Sequence, residues 1–220
     1  MIEFQTKDKL EESLCKRMAD IIRQAIKEKG IAKLLLSGGG TPQGIYDRLS
    51  HCELDWSKVE IGLVDERFVS INSEFSNQKM ISEILLKNSA KDARLRGMVL
   101  NIDDYYGNLD QVNEYYQELA QADIVLLGMG NDGHTASIFP DDPGSLQCIE
   151  DLSPLIRNTN APSLPIKRIS LNKPFISNAN HVFLMITGDQ KRKVFIQSNI
   201  EKKPIYRFKD VISEVYFTTN

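Results

Sequence analysis

The chain has 220 residues, 41% hydrophobic and 26% charged, which is enough apolar material for a sizeable buried core. Its net charge of −3 gives no electrostatic reason to expect nucleic acid or an anionic membrane as a partner, so any site for an acidic ligand must be local. Cys15, Cys52 and Cys148 are irregularly spaced with no C-x-x-C pair, and neither a leader segment nor an apolar run near the roughly 18 residues of a membrane span is visible, so a cytoplasmic protein without disulfide framework or zinc site is expected.

From residue 7 to 29, Leu10, Leu14, Met18, Ile21, Ile22, Ala25 and Ile26 recur at helical spacing and predict an amphipathic helix that Gly30 ends. Residues 32–36 predict a first central strand. It runs into Ser37-Gly38-Gly39-Gly40-Thr41-Pro42, with Thr41 as N-cap and Pro42 at the first position of a helix that turns Ile45, Tyr46 and Leu49 inward. Such a turn offers free N–H groups and the positive end of a helix dipole, so a phosphate or carboxylate is favoured there over a bare βα turn. No Gly-Lys-Ser/Thr follows, so it is not a Walker A loop. Residues 59–64 predict a second strand ending in Asp65-Glu66-Arg67-Phe68-Val69. Charges at a strand's carboxyl end often line sites in parallel sheets, and a solvated loop is the competing reading. Ser76-Asn77 opens a helix with Met80, Ile81, Ile84 and Leu85 inward. A short strand is expected at 98–100. Asp103, Asp104 and Asp110 read as a solvated acidic loop, because their spacing does not fit an EF-hand. A helix over 109–122 places Val112, Tyr115, Tyr116 and Leu119 on one side.

Residues 124–127 are an apolar run that predicts a buried parallel strand. It breaks into Gly128-Met129-Gly130-Asn131-Asp132-Gly133-His134-Thr135-Ala136-Ser137-Ile138-Phe139-Pro140. The glycines match G-x-G-x-x-G, but Pro140 and Pro143 cut short the helix a dinucleotide fold needs, and Glu150 and Asp151 follow no strand. The favoured alternative is a tight turn, followed by a short helix, that aims Asp132 and His134 into one cleft with N–H groups free to hold an anion. Alone, a histidine after glycines is more often structural than catalytic. Residues 140–165 read as a long, little-ordered connection of the kind that forms lids and binding loops. Residues 167–171 predict a strand whose Lys167-Arg168 pair either reaches a ligand phosphate or is an exposed edge charge. Residues 181–187 predict a buried strand, and Gly188-Asp189-Gln190-Lys191 opens a helix that packs Val194 and Phe195 inward. Lys191 in its first turn opposes the dipole, which makes sense if it meets an anion. Residues 204–206 and 215–218 are expected as closing strands. His51 and His181 read as a surface residue near a helix end and a strand-edge residue. Strands alternating with helices and no linker give one domain over residues 1–220, of α/β class with a mainly parallel sheet flanked by helices.

Taken in order, the glycine turn at 37–42, the 65–69 segment, Ser76-Asn77, the 128–140 stretch, the 167–171 strand and Gly188-Asp189-Gln190-Lys191 resemble the 6-phosphogluconolactonase family over roughly residues 32–193. The resemblance implies a Rossmann-like fold and hydrolysis of 6-phospho-D-glucono-1,5-lactone to 6-phospho-D-gluconate, in the oxidative branch of the pentose phosphate pathway. It implies His134 as general base and then acid, Asp132 as its orienting partner, and Arg67 on the oxyanion or the substrate hydroxyls. Ser37, Gly38, Gly39, Gly40, Thr41, Asp65, Arg168 and Lys191 then bind the sugar phosphate. Related glucosamine-6-phosphate deaminases carry a glutamate where this chain has Phe139, and usually an aromatic residue where it has Arg67. Lactone opening demands no cofactor and no metal, and no G-x-S-x-G elbow supplies a serine nucleophile. The expected partner is a small sugar phosphate, with no nucleic acid and no membrane, and the chain is expected to be a monomer or weak homodimer. The rival readings are an amino-sugar phosphate deaminase and a non-catalytic sugar-phosphate sensor.

Overall fold

The computed structural model describes residues 1–200 and 202–219. A first strand, β1 (Ile2–Phe4), leads through the N-cap Thr6 into α1 (Lys7–Lys29), where Thr6 Oγ1 accepts the Lys9 N–H at 3.3 Å. The expected stripe Leu10, Leu14, Met18, Ile21, Ile22 and Ala25 is buried, each large side chain contributing roughly 1.5–3 kcal/mol. Gly30 ends the helix at φ 79° with its N–H on the Ile26 carbonyl. Then follow β2 (Ala32–Leu36), α2 (Gln43–Ser50), β3 (Val59–Leu63), β4 (Asp65–Arg67), α3 (Asn77–Ile84), β5 (Arg94–Arg96), α4 (Asn108–Tyr116) and β6 (Ile124–Leu127). The chain closes with α5 (Pro143–Glu150), β7 (Ile156–Asn160), β8 (Lys167–Leu171), α6 (Lys173–Ser177), β9 (His181–Thr187), α7 (Asp189–Gln197) and β10 (Glu214–Thr218).

Seven strands form one parallel sheet in the order β1-β10-β9-β6-β2-β3-β5. The unbroken apolar run of β6 and the β2 run, apolar apart from Lys33 near its start, lie side by side at its centre, as expected of strands covered on both faces. The winding reverses between them, because β3 and β5 add on the β2 side while β9 and β10 add on the β6 side. Their connections therefore leave in opposite directions and open a crevice at the carboxyl ends, where open α/β sheets bind ligands. The α/β class and the mainly parallel sheet agree with the sequence. No helix among the described residues is long and apolar enough to cross a membrane.

A second, antiparallel sheet, β4-β8-β7, was not legible in the sequence. Only Val64 separates β3 from β4, and Val64 still bonds to both sheets: its N–H reaches Leu36 O and its carbonyl accepts Leu171 N–H. The segment Asp65–Arg67 is thus carried straight off a central strand, not released into a solvated loop. In the middle of this sheet, β8 makes Arg168 a buried residue, not an edge charge.

Several sequence expectations need correction. Thr41 is not an N-cap: α2 begins at Gln43, Pro42 stands at the cap with no side-chain bond, and the Thr41 hydroxyl is left outside the helix. The strand expected at 98–100 lies at Arg94–Arg96. Beyond it, Asn108 Oδ1 takes the Leu100 and Asn101 N–H groups and Asn108 Nδ2 donates to Met98 O, so one asparagine replaces a ladder. The expected helix at 109–122 is α4 from Asn108 to Tyr116 and then a 3-10 turn over Gln117–Leu119, with Tyr115 exposed. No helix follows His134 until Pro143. Residues 140–165 are more ordered than expected, since they contain α5 and β7. Residues 204–206 belong to a 3-10 helix, Pro204–Phe208, whose Ile205 N–H supports the Gly133 carbonyl at 3.0 Å.

Candidate active site

The crevice at the reversal point is a cavity of about 290 Å³. Its floor is the end of β6 with Met129 and Met185, and one wall is the glycine turn after β2. Of the residues assigned to catalysis or sugar-phosphate binding from the resemblance, all line it except Asp132, which stands behind His134.

The turn after β6 builds the histidine's position. Gly130 N–H bonds to the His134 carbonyl at 2.9 Å, and Gly133 N–H bonds to Gly130 O at 3.1 Å. Asp132 Oδ1 accepts the backbone N–H of His134 at 3.1 Å and also meets its Nδ1 at 2.6 Å. An ionised carboxylate only accepts, so Nδ1 carries the proton of this bond and Nε2 is the ring nitrogen available as a base. Burial opposes the charge on Asp132, but the hydrogen bonds and charge of His134 outweigh it and hold the carboxyl below its usual range. The Phe139 ring stands beside the imidazole, with centroids 4.7 Å apart.

On the opposite side, β4 delivers Asp65 and Arg67. Asp65 Oδ2 accepts the Ser137 hydroxyl at 2.6 Å and its carbonyl accepts Asn77 Nδ2 at 2.9 Å. Arg67 donates from Nη1 to Phe75 O at 2.6 Å. Between them, buried Glu66 points the other way and caps α3. It accepts the N–H groups of Arg67, Asn77 and Gln78, each at 2.8 Å, and the Ser76 hydroxyl at 3.1 Å. Burial pushes its carboxyl pKa up, and these bonds resist the shift.

The cavity is rich in unspent positive charge. Arg67 and Arg168 are direct cross-strand partners, an arrangement that destabilises a sheet unless something negative lies between. Burial, then the neighbouring charge of Arg67, lowers the Arg168 pKa. Its Nε bonds to Pro165 O at 2.8 Å, which leaves both terminal nitrogens for a ligand. Lys191, in the first turn of α7, has no carboxylate partner among the described residues, and burial lowers its pKa. The N–H groups of Gly38, Gly39, Gly40 and Thr41 meet no protein acceptor among the described residues, and the buried Ser37 hydroxyl is unpartnered. These groups face one crevice beside helix N-termini, an arrangement chemically able to bind a dianion.

Sequence reasoning passed over Asn77 as anything but a helix start. It is buried in the cavity wall, and a Cβ on Gly38 would fall 1.8 Å from its Oδ1. It also passed over Ser137, which fixes Asp65. Neither role has a local signal, because each is a contact between segments distant in the chain. Among the described residues, no three His, Cys, Asp or Glu side chains gather into a potential metal site.

The family model described as glucosamine-6-phosphate isomerases/6-phosphogluconolactonase matches residues 5–214. The chain is 37% identical over 199 residues to the 6-phosphogluconolactonase of Neisseria meningitidis serogroup A, covering 89% of this chain and 86% of that protein. It is 31% identical to that of Helicobacter pylori, covering 100% and 98%. The crystal structure of a 6-phosphogluconolactonase from Shewanella baltica superposes with a TM-score of 0.92 at 32% identity, covering 98% of this chain and 96% of that one. The chain belongs to the glucosamine-6-phosphate isomerase/6-phosphogluconolactonase family.

Proposed function

We propose that this protein is a 6-phosphogluconolactonase, which hydrolyses 6-phospho-D-glucono-1,5-lactone to 6-phospho-D-gluconate. The observation that carries the reading is the pairing, in one crevice, of an Asp132-oriented imidazole with a dianion receptor built from Arg168, Lys191 and the glycine turn. The phosphate anchors in that receptor and sets the lactone carbonyl towards His134. Nε2 takes a proton from a water as the water oxygen bonds to the carbonyl carbon, and the carbonyl electron pair moves onto oxygen. Arg67 offers charge to that oxygen or to the sugar hydroxyls, and Asp65 offers its second carboxylate oxygen to a hydroxyl. The intermediate collapses, the bond to the ring oxygen breaks, and the imidazolium returns its proton to that oxygen. Asp132 holds the tautomer throughout and stabilises the imidazolium. The chemistry calls for no metal or organic cofactor.

The family's deaminase activity is the second reading. Phe139 disfavours it, since an apolar ring packs on the imidazole where deaminases place a glutamate. A sensor would need the phosphate receptor but not the oriented histidine. We place the enzyme in the cytoplasm, acting on a free sugar phosphate as a single-domain monomer or weak homodimer. Parallel assays with freshly generated lactone and with glucosamine 6-phosphate test the assignment. Saturable acceleration of lactone opening without ammonia release from the amino sugar is expected. Ammonia release instead would transfer the chain to the deaminases, and neither activity with retained 6-phosphogluconate binding would make it a sensor.

A further inference from the structure

Ala136 has a backbone that its side chain does not favour. It lies at φ 50°, in the left-handed region where glycine is the usual occupant, and it lines the cavity two residues after His134. Strain of this kind persists only where the surroundings over-determine it, and it concentrates where a backbone group has work to do. Here the surroundings do over-determine it. Thr135 Oγ1 donates to Gly128 O at 2.9 Å, and Ile138 N–H closes the turn on Thr135 O at 3.0 Å. Ser137 N–H bonds to Ser170 Oγ at 3.2 Å, Ser137 Oγ to Asp65 Oδ2 at 2.6 Å, and Thr159 Oγ1 to Ser137 O at 2.7 Å. Thr135, Ser137, Thr159 and Ser170 are all buried, so three separate strands clamp the one turn.

The turn's N–H groups are almost all spent inside the protein. Those of Gly133, His134, Ser137 and Ile138 each have a protein acceptor, and Thr135 is bridged to Ile138. Ala136 N–H has none among the described residues. A free donor, held rigidly beside the catalytic base and on the wall of the cavity, costs no reorganisation when charge develops next to it.

We propose that the backbone N–H of Ala136 is an oxyanion donor: it takes the lactone carbonyl oxygen and strengthens its hydrogen bond as water adds and the carbonyl electron pair moves onto that oxygen. The inference rests on the lactonase reading. It divides the labour at the carbonyl, with Ala136 giving a short directional bond and Arg67 a more diffuse charge. It also accounts for the distance of three strands over which the turn is secured, because a donor displaced by 1 Å would lose most of its effect.

The direct test replaces the Thr135–Ala136 amide with an ester, by incorporating lactic acid at position 136. This deletes one N–H and keeps the methyl group. Wild-type protein and Ala136→Gly, which retains the N–H, serve as references in the lactone assay. The ester variant is expected to lose roughly 100-fold in kcat while its affinity for 6-phosphogluconate changes little. An ester variant that binds 6-phosphogluconate and turns over at the wild-type rate overturns the proposal. Because the ester also weakens the Thr135 carbonyl that holds the turn, a second readout needs no substitution. With alanine amides labelled by nitrogen-15, the Ala136 proton resonance should move downfield on binding 6-phosphogluconate, whose carboxylate occupies the reacting position, and not on binding inorganic phosphate. The same small response to both ligands would contradict the proposal. If wild-type protein does not accelerate lactone opening at all, the lactonase reading itself fails.

Discussion

Gly130 lies directly against the His134 imidazole: a Cβ at position 130 would fall 2.2 Å from Cε1 and 2.3 Å from Nδ1 of the ring, and 2.6 Å from Asp132 Oδ1. The glycine is therefore the seat of the proposed catalytic pair, Asp132 and His134, as well as part of a turn. Gly130→Ala must push the ring off its carboxylate. A loss of about 100-fold in kcat is expected, with 6-phosphogluconate binding retained, because the phosphate receptor lies elsewhere in the cavity. Isothermal titration beside the lactone assay separates the two. Unaltered turnover would mean that the contact does not set the ring's position.

The proposed phosphate receptor has its own signature. Arg168 keeps two terminal nitrogens free opposite Arg67, so Arg168→Ala should weaken 6-phosphogluconate by about 2 kcal/mol, roughly 30-fold, while barely affecting unphosphorylated gluconate. Equal losses for both ligands would place Arg168 on the sugar.

Lys191 gives a pH dependence. Burial lowers its pKa in the free protein, and the ammonium binds the dianion only while protonated. Affinity for 6-phosphogluconate should therefore be full below that lowered pKa and fall as the pH rises through it, beginning below the roughly 10.4 of an ordinary lysine. Binding should take up a proton in that window. Lys191→Arg should keep the affinity flat through the same range, and a wild-type curve no different from the arginine variant's would remove Lys191 from the phosphate contact.

Glu66 is a stability prediction. Its two oxygens satisfy three backbone N–H groups and a hydroxyl in a buried site. Glu66→Gln turns one oxygen into a donor that faces donors, so a loss of about 2 kcal/mol in urea unfolding is expected. A neutral result would show that α3 re-caps itself.

The sequence and structure agree where the signal is local. The stripe of α1 with its Gly30 stop, the apolar runs of β2, β6 and β9, and the Ser76 cap of α3 are each written in neighbouring residues. The glycine turn and the Asp132–His134 segment were visible as candidates, but their meeting was implied only by the family resemblance and by no local pattern. That requires the reversal of strand order between β2 and β6, which is a property of the whole sheet. The small antiparallel sheet was hidden because β4 is three polar residues, buried by pairing and by the Glu66 cap and not by apolar content. Arg94–Arg96 hid for the same reason, since a buried Arg96 is matched by Glu60. Asn108, Asn77 and Ser137 act through hydrogen bonds to distant segments, which no period in the sequence marks.

The measurement that tests the central claim most directly is stopped-flow proton release from freshly generated 6-phosphogluconolactone, with wild-type protein and with His134→Ala, corrected for spontaneous opening. The account predicts saturable acceleration by the wild type, reduced roughly 100-fold or more in the variant, while 6-phosphogluconate still binds. A variant that turns over lactone at the wild-type rate would contradict it and take His134 out of the mechanism.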